Sequence, residues 1–343
     1  MRFIETLSGK PLNPPPIWIM RQAGRYLPEY RAVRQTEPDF ISLCLNPNKA
    51  SEVTIQPITR YQFDASIIFS DILLIPWAMD RNVRFINGTG PKLDILNSLK
   101  DLEIFADKDL STKYEPVGKA IRLTRQALPA KTALIGFSGA PWTLMTYLFE
   151  GGSSRDFANT KSFLWQKPNE AIEIIRILTE KIAEFLIVQA DQGANALMLF
   201  DSWAGAVPAS WRKDLIYKPH QKILEILRKN NIELPFIGFP KGIGEGLINY
   251  ANEVETNCIA LDQHTDPFWA NRALPSNIAI QGNLDPLCLV TGGRIMKDEI
   301  SKIIDCFADR PHIFNLGHGV VPQTPPKHVQ DLVDFIRTES GEK

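Results

Sequence analysis

The chain alternates between short apolar runs and longer amphipathic stretches. Eight runs stand out: "PPIWIMR" (15–21), "DASIIFSD" (64–71), "TALIGFSG" (132–139), "ANALMLFDS" (194–202), "LPFIGFPKG" (234–242), "NCIALDQH" (257–264), "NIAIQGNLD" (277–285) and "HIFNLGHG" (312–319). They are continuously apolar rather than alternating, as in parallel strands buried on both faces. Between them the period becomes helical. In "NEAIEIIRILTEKIAEFLIV", Ala171, Ile175, Leu178, Ile182 and Phe185 fall on one face. "SWRKDLIYKPHQKILEILRK", "DEISKIIDCFAD" and "KHVQDLVDFIR" also predict helices, with Pro219 expected to kink or divide the first of the three.

Strands alternating with helices predict an α/β fold, and eight is the number that closes a (β/α)8 TIM barrel. A doubly wound open sheet is the other arrangement that fits this rhythm. The first three runs are spaced more widely than one helix requires, so extra helices are expected in the N-terminal third, around residues 30–60 and 85–130. No repeat or linker interrupts the chain, and a single β/α-barrel catalytic domain over residues 1–343 is expected.

Composition narrows the function classes. The chain is 44% apolar and 22% charged, ordinary for a globular protein with a full core. Its 38 Lys and Arg against 39 Asp and Glu give a net charge of -1. That argues against a nucleic-acid binder, which needs a broad positive field. The cysteines Cys44, Cys258, Cys288 and Cys306 form no CxxC pair and fit neither a zinc site nor a disulfide framework, which suggests a reducing compartment. The N-terminal "MRFIETLSGKPLNPPP" has charges and prolines where a secretory leader needs an apolar stretch, and no run approaches transmembrane length. A cytoplasmic protein with no membrane partner is expected.

In a β/α barrel, active sites lie at the C-terminal ends of the strands. The residues there are Arg21 and Arg25, Asp71, Ser138, Asp201 and Ser202, Lys241, Asp262 and His264, Asn283 and Asp285, and His318. Arg21 and Arg25 are four apart and share a face if their segment is a helical turn. Their planar forks suit carboxylate or phosphate, unless they are occupied by local acids such as Glu29 or Asp39. Asp71 sits between "SIIFS" and "ILLIP", where burying a carboxylate is costly unless it is paired or hydrogen-bonded. It reads as a recogniser of N–H donors or of a developing cation, or else as a helix N-cap or a partner of the arginines. "GFSGAPWTLMTYLFEGG" predicts a short helix carrying Tyr147 and ended by Gly151 and Gly152; the phenol either faces the pocket or packs in the core. "NLGHG" sets His318 between glycines, where it can donate, accept or shuttle a proton. "KGIGEG" lacks GxGxxG spacing, and neither a Walker loop, a GxSxG elbow nor an HExxH motif occurs.

"IWIMRQAGRYLPEYR" and "GFSGAPWTLMTYLFEGG" closely resemble the two signature segments of the uroporphyrinogen decarboxylase family. "FSDIL", "LFDSWAG" and "NLGHG" match further family positions in the same order, so the resemblance runs from about Pro15 to Arg337. It implies a β/α barrel, usually a homodimer, that needs no cofactor and no metal. It implies conversion of uroporphyrinogen to coproporphyrinogen in heme biosynthesis, with four acetates becoming methyl groups. Carried over by motif, Arg21, Asp71 and Tyr147 are the expected catalytic residues, and Arg21, Arg25, Asp71, Tyr147, Ser202 and His318 the expected substrate-binding ones. One departure is that some members carry Glu and His where this chain has Asp201 and Trp203.

The chemistry agrees with that resemblance. An eight-carboxylate substrate calls for concentrated arginines on a near-neutral protein, and one carboxylate such as Asp71 can accept several inward-pointing pyrrole N–H groups. Protonating the pyrrole carbon beside an acetate creates its own electron sink, and Asp71 is suited to stabilise the resulting cation. Arginine is a poor acid at neutral pH, so Arg21 and Arg25 read first as carboxylate clamps, with a proton relayed through Arg21 or water as a hypothesis. Two alternatives are a zinc-dependent relative transferring corrinoid-linked methyl groups and a non-catalytic porphyrinogen carrier. For the former, no cysteine lies near a strand-end histidine, since Cys258 opens its strand six residues before His264.

Overall fold

A computed structural model describes residues 1–86 and 88–339; residues 87 and 340–343, inside the expected single-domain span, lie outside the described residues. The strands in chain order are β1 (Ala65–Ile67), an antiparallel pair β2 (Arg84–Ile86) and β3 (Gly90–Lys92) outside the main sheet, then β4 (Ala133–Gly139), β5 (Ala196–Asp201), β6 (Phe236–Pro240), β7 (Cys258–Ala260), β8 (Ala279–Gln281) and β9 (His312–Ile313). β1 and β4 to β9 form one parallel sheet in sequence order, curled so that its two edges face each other. Helices alternate with them on the outside. The core is one continuous cluster of buried side chains.

The first apolar run closes the ring. Ile17 bridges in parallel to Phe314, with the Phe314 N–H donating to the Pro16 carbonyl at 2.9 Å. On its other side the Ile17 N–H donates to Asp64 Oδ2, and the Asp64 N–H donates to the Ile17 carbonyl, each at 2.9 Å. The run therefore serves as an eighth strand, although Ile17 alone makes a ladder bridge. The cause is in the sequence: Pro14, Pro15 and Pro16 have no N–H to give a neighbour. Inside the barrel Trp18 is buried and its Nε1–H donates to Gln281 Oε1 at 2.9 Å.

The extra N-terminal helices include Pro28–Arg34, Phe40–Cys44, Pro47–Tyr61, Lys100–Ala106 and Ser111–Ala127. The β2–β3 hairpin is a departure from the helices expected over 85–130. Its strands are three residues each and none of those residues is fully buried, so no long apolar run marks it, and its turn relies on positive φ at Gly88 and Gly90 (77° and 90°). Phe85 anchors it on the Phe40 ring, with centroids 4.5 Å apart. Pro219 does divide its stretch: a π-helical turn, Lys213–Tyr217, runs into the helix Lys218–Lys229 with the proline in its first turn, where no N–H is needed. The helix Pro168–Asp191 buries Ala171, Ile175, Leu178, Ile182 and Phe185 as its period predicts.

Candidate active site

The segment after the first strand is pinned from within. It is not a helical turn; the helix begins only at Pro28. Gln22 is fully buried, its Oε1 accepting from the Ile19 N–H and its Nε2–H reaching the Ala65 carbonyl, each at 3.4 Å. The buried Tyr26 hydroxyl donates to the Gln22 carbonyl at 2.9 Å. Arg31 donates to the carbonyls of Arg25 and Tyr26 at 2.7 and 3.3 Å, so the third arginine of the motif is a clasp. Turned outward by these anchors, Arg21 and Arg25 are exposed. Neither pairs with an acid among the described residues: Glu29 is held by Arg60 at 2.7 Å, and Asp39 caps the Ser42 N–H. Both guanidinium groups are thus available to a ligand. Arg21 adopts φ 61°, a left-handed conformation costly for a residue with a Cβ and frequent at functional sites.

Arg21, Asp71, Tyr147 and His318 gather at the C-terminal mouth of the barrel. Asp71 follows β1, and its Oδ1 accepts the Leu73 N–H at 2.8 Å, turning the chain into the helix Leu74–Ala78. It is not that helix's N-cap residue, and its Oδ2 has no hydrogen-bond partner among the described residues. Burial pushes the Asp71 carboxyl up to about 6, with the Leu73 N–H and the Arg21 charge acting in the opposite direction. Tyr147 lies on the helix Pro141–Glu150, which Gly151 ends at φ 67°. Burial raises its phenol; the Asp71 charge adds to that, while Trp203, Arg21 and Ser153 oppose it. The Arg21 stem crosses the last loop at Gly319, where a Cβ would sit 2.3 Å from Arg21 Cδ. This brings the arginine beside His318, whose imidazole burial and the charges of Arg21 and Lys241 depress to about 3. His318 is therefore neutral at working pH. Its Nδ1 is buried with no hydrogen-bond partner among the described residues.

Ser202 follows β5 directly, and its neighbour Trp203 packs near Tyr147 and Phe157 with ring centroids 6.4 and 5.2 Å apart. The Trp203 N–H donates to the Thr143 hydroxyl at 3.2 Å, and that hydroxyl donates to the fully buried Asp201 at 2.6 Å. Asp201 Oδ2 lies 3.4 Å from His220 Nε2, and His220 Nδ1 lies 3.1 Å from the Tyr250 hydroxyl. His220 lies within a stretch whose pattern predicts only a helix, and no sequence signal ties it to Asp201. Its role under β5 depends on Gly238, where a Cβ would fall 2.1 Å from the Tyr250 hydroxyl. No sequence signal marks Gln22 as a buried anchor or the exposed Arg31 as a clasp, because either could equally be a solvated surface residue. Among the described residues no group of three or more His, Cys, Asp or Glu side chains is placed to hold a metal.

The uroporphyrinogen decarboxylase (URO-D) family model matches residues 1–339. The chain belongs to the uroporphyrinogen decarboxylase family. Curated relatives agree from end to end. The uroporphyrinogen decarboxylase of Rhodospirillum rubrum is 44% identical over 98% of this chain and 96% of its own. That of Granulibacter bethesdensis is 43% identical and that of Maricaulis maris 41%, each over 98% of both chains. A solved methyltransferase from Methanosarcina mazei superposes with a TM-score of 0.81 over 98% of this chain and 97% of its own, at 15% identity. A B12-independent methionine synthase from Shewanella aligns with a TM-score of 0.55 at 8% identity, over 85% of this chain and 88% of its own. These two likenesses describe the barrel alone. The curated relatives favour the decarboxylase family over the methyl-transfer and carrier alternatives, and a decarboxylase ancestry accords with a mouth that brings Arg21 beside one elevated carboxyl.

Proposed function

We propose that this protein decarboxylates uroporphyrinogen III to coproporphyrinogen III in heme biosynthesis, and that the groups at the barrel mouth carry out the reaction without a cofactor. Each acetate loses carbon dioxide and takes up one proton to become methyl. Arg21 and Arg25 hold substrate carboxylates. The free Oδ2 of Asp71 accepts pyrrole N–H groups. Protonation of the pyrrole carbon next to an acetate makes the ring a cation, and the Asp71 charge stabilises it where surrounding protein limits screening. The C–CO2 bond then breaks, and its electron pair neutralises the ring. A second protonation, at the exocyclic carbon, forms the methyl group, and the proton first added to the ring carbon leaves. Tyr147 and Ser202 contribute hydroxyl hydrogen bonds. His318, being neutral, serves as a hydrogen-bonding group rather than an acid. A homodimer in the cytoplasm, with no nucleic-acid or membrane partner, is part of the same proposal; no helix among the described residues is long and apolar enough to cross a membrane.

The observation that carries the reading is the environment of Asp71: one oxygen committed to a turn, the other free, beside Arg21 and Tyr147, with its carboxyl raised to about 6. The test is anaerobic incubation of metal-free protein with uroporphyrinogen, followed by oxidation and separation of products by carboxylate number. Accumulation of four-carboxylate product with the wild type, and binding without turnover by Asp71→Asn, is the expected result. Wild-type binding with no carboxylate lost would overturn the assignment in favour of a carrier.

A further inference from the structure

The barrel's ring order places a second cation across the mouth from Arg21. Counting the Ile17 segment as the first strand, β6 is the fifth of eight, so the chain leaving β6 lies diametrically opposite the chain leaving the first strand. The residue that leaves β6 is Lys241. Its backbone is held on every side. The Lys241 N–H donates to the Asp201 and Phe239 carbonyls at 3.1 and 3.0 Å, and its own carbonyl accepts the Gly205 N–H at 2.9 Å. The next N–H, of Gly242, donates to Asp262 Oδ2 at 2.8 Å. Gly205 and Gly242 let the two loops touch: a Cβ on Gly205 would stand 2.8 Å from the Gly242 carbonyl oxygen.

The side chain, by contrast, is uncommitted. Lys241 forms no ion pair among the described residues. The nearby acid, Asp262, spends both oxygens on backbone N–H groups, those of Gly242 and His264, each at 2.8 Å. The ammonium lies 5.9 Å from the centre of the Trp203 ring, and its charge reaches His318. A half-buried, unpaired ammonium on a rigid backbone, over an aromatic ring at the site's rim, is arranged for an anion.

We propose that Lys241 binds a carboxylate of the substrate on the side opposite Arg21 and Arg25. The identity of that carboxylate's owner rests on the decarboxylase reading. A tetrapyrrole macrocycle carries acid groups around its whole circumference, so a clamp on one side leaves half of them unmatched. Lys241 supplies the far anchor and fixes which ring is presented to Asp71.

The test compares wild type, Lys241→Met and Lys241→Arg. Binding of uroporphyrin, the stable oxidised octacarboxylate, is followed by fluorescence, and KM and kcat are measured with uroporphyrinogen. Lys241→Met is expected to weaken uroporphyrin binding about 5- to 20-fold, as for loss of one charge-assisted contact, with KM raised and kcat changed less than about threefold. Its affinity should also depend less steeply on salt. Lys241→Arg should bind within about threefold of wild type, whereas a merely structural lysine would show no such charge-dependent rescue. Equal uroporphyrin affinity in wild type and Lys241→Met would overturn the proposal. Wild type that binds without turnover would overturn the decarboxylase reading, while the binding comparison would still decide Lys241. A wild type that does not bind uroporphyrin overturns both.

Discussion

The elevated carboxyl of Asp71 couples function to stability with opposite signs. Below about pH 4 the group is neutral in both folded and unfolded chains. Between its ordinary value of 3.8 and about 6 the unfolded chain has released a proton that the folded chain keeps, so stability falls as pH rises. Above about 6 the whole cost remains. Asp71→Asn is therefore expected to melt higher than wild type at pH 8, by about 1–2 kcal/mol in stability, with the difference fading toward pH 4. The same variant should lose about 100-fold or more in kcat. Wild-type kcat/KM should fall as pH drops through about 6, because the proposed role needs the anion. Thermal melts across pH and a pH–rate profile check these outcomes. Arg21→Lys keeps the charge but loses the fork, and is expected to lower kcat/KM about 10- to 100-fold, mainly through KM. A solvent isotope effect on kcat that persists in this variant fits a clamp; its disappearance would make Arg21 the proton donor.

The strands of the main sheet were legible in the sequence because they are continuously apolar, and most helices because their burial is periodic. Arg21, Asp71 and His318 were legible because chemically versatile residues followed apolar runs. The β2–β3 hairpin was not, since its strands are three residues each and never fully buried, too short to carry a legible pattern. Nor was the support under β5, because Thr143, Asp201, His220 and Tyr250 come from separate elements that only the fold brings together. The motif "RQAGRYLPEYR" illustrates the limit: its three arginines look alike in sequence, yet Arg21 reaches the mouth, Arg25 is exposed without an acid partner among the described residues, and Arg31 clasps the loop. A strand and a helix meet so closely at Gly238 that the contact itself makes a prediction. Gly238→Ala should destabilise the fold by about 2–3 kcal/mol, and Tyr250→Phe in that background should recover part of the loss by removing the nearest atom. Denaturant midpoints of the two single variants and the double variant measure that coupling.

At the scale of the molecule, proposed sites for one ligand stand on opposite strands of a closed ring, so occupancy should tie the ring together. Bound uroporphyrin is expected to raise the melting temperature of wild type, and less so in Lys241→Met, as linkage requires when affinity falls. Sedimentation equilibrium checks the proposed homodimer; a monomer at micromolar concentration would overturn that part. Ring closure also has a consequence for how the protein folds. The Met20 N–H donates to Asn315 Oδ1, a partner 295 residues away, and Ile17 joins Phe314 in the same seam. The segment carrying Arg21 is thus separated from one strand it docks on by all the other strands of the ring. Asp64 can receive Ile17 early, but the other side of this apolar segment stays open until the Phe314 strand joins, a long-range closure of the kind that slows folding.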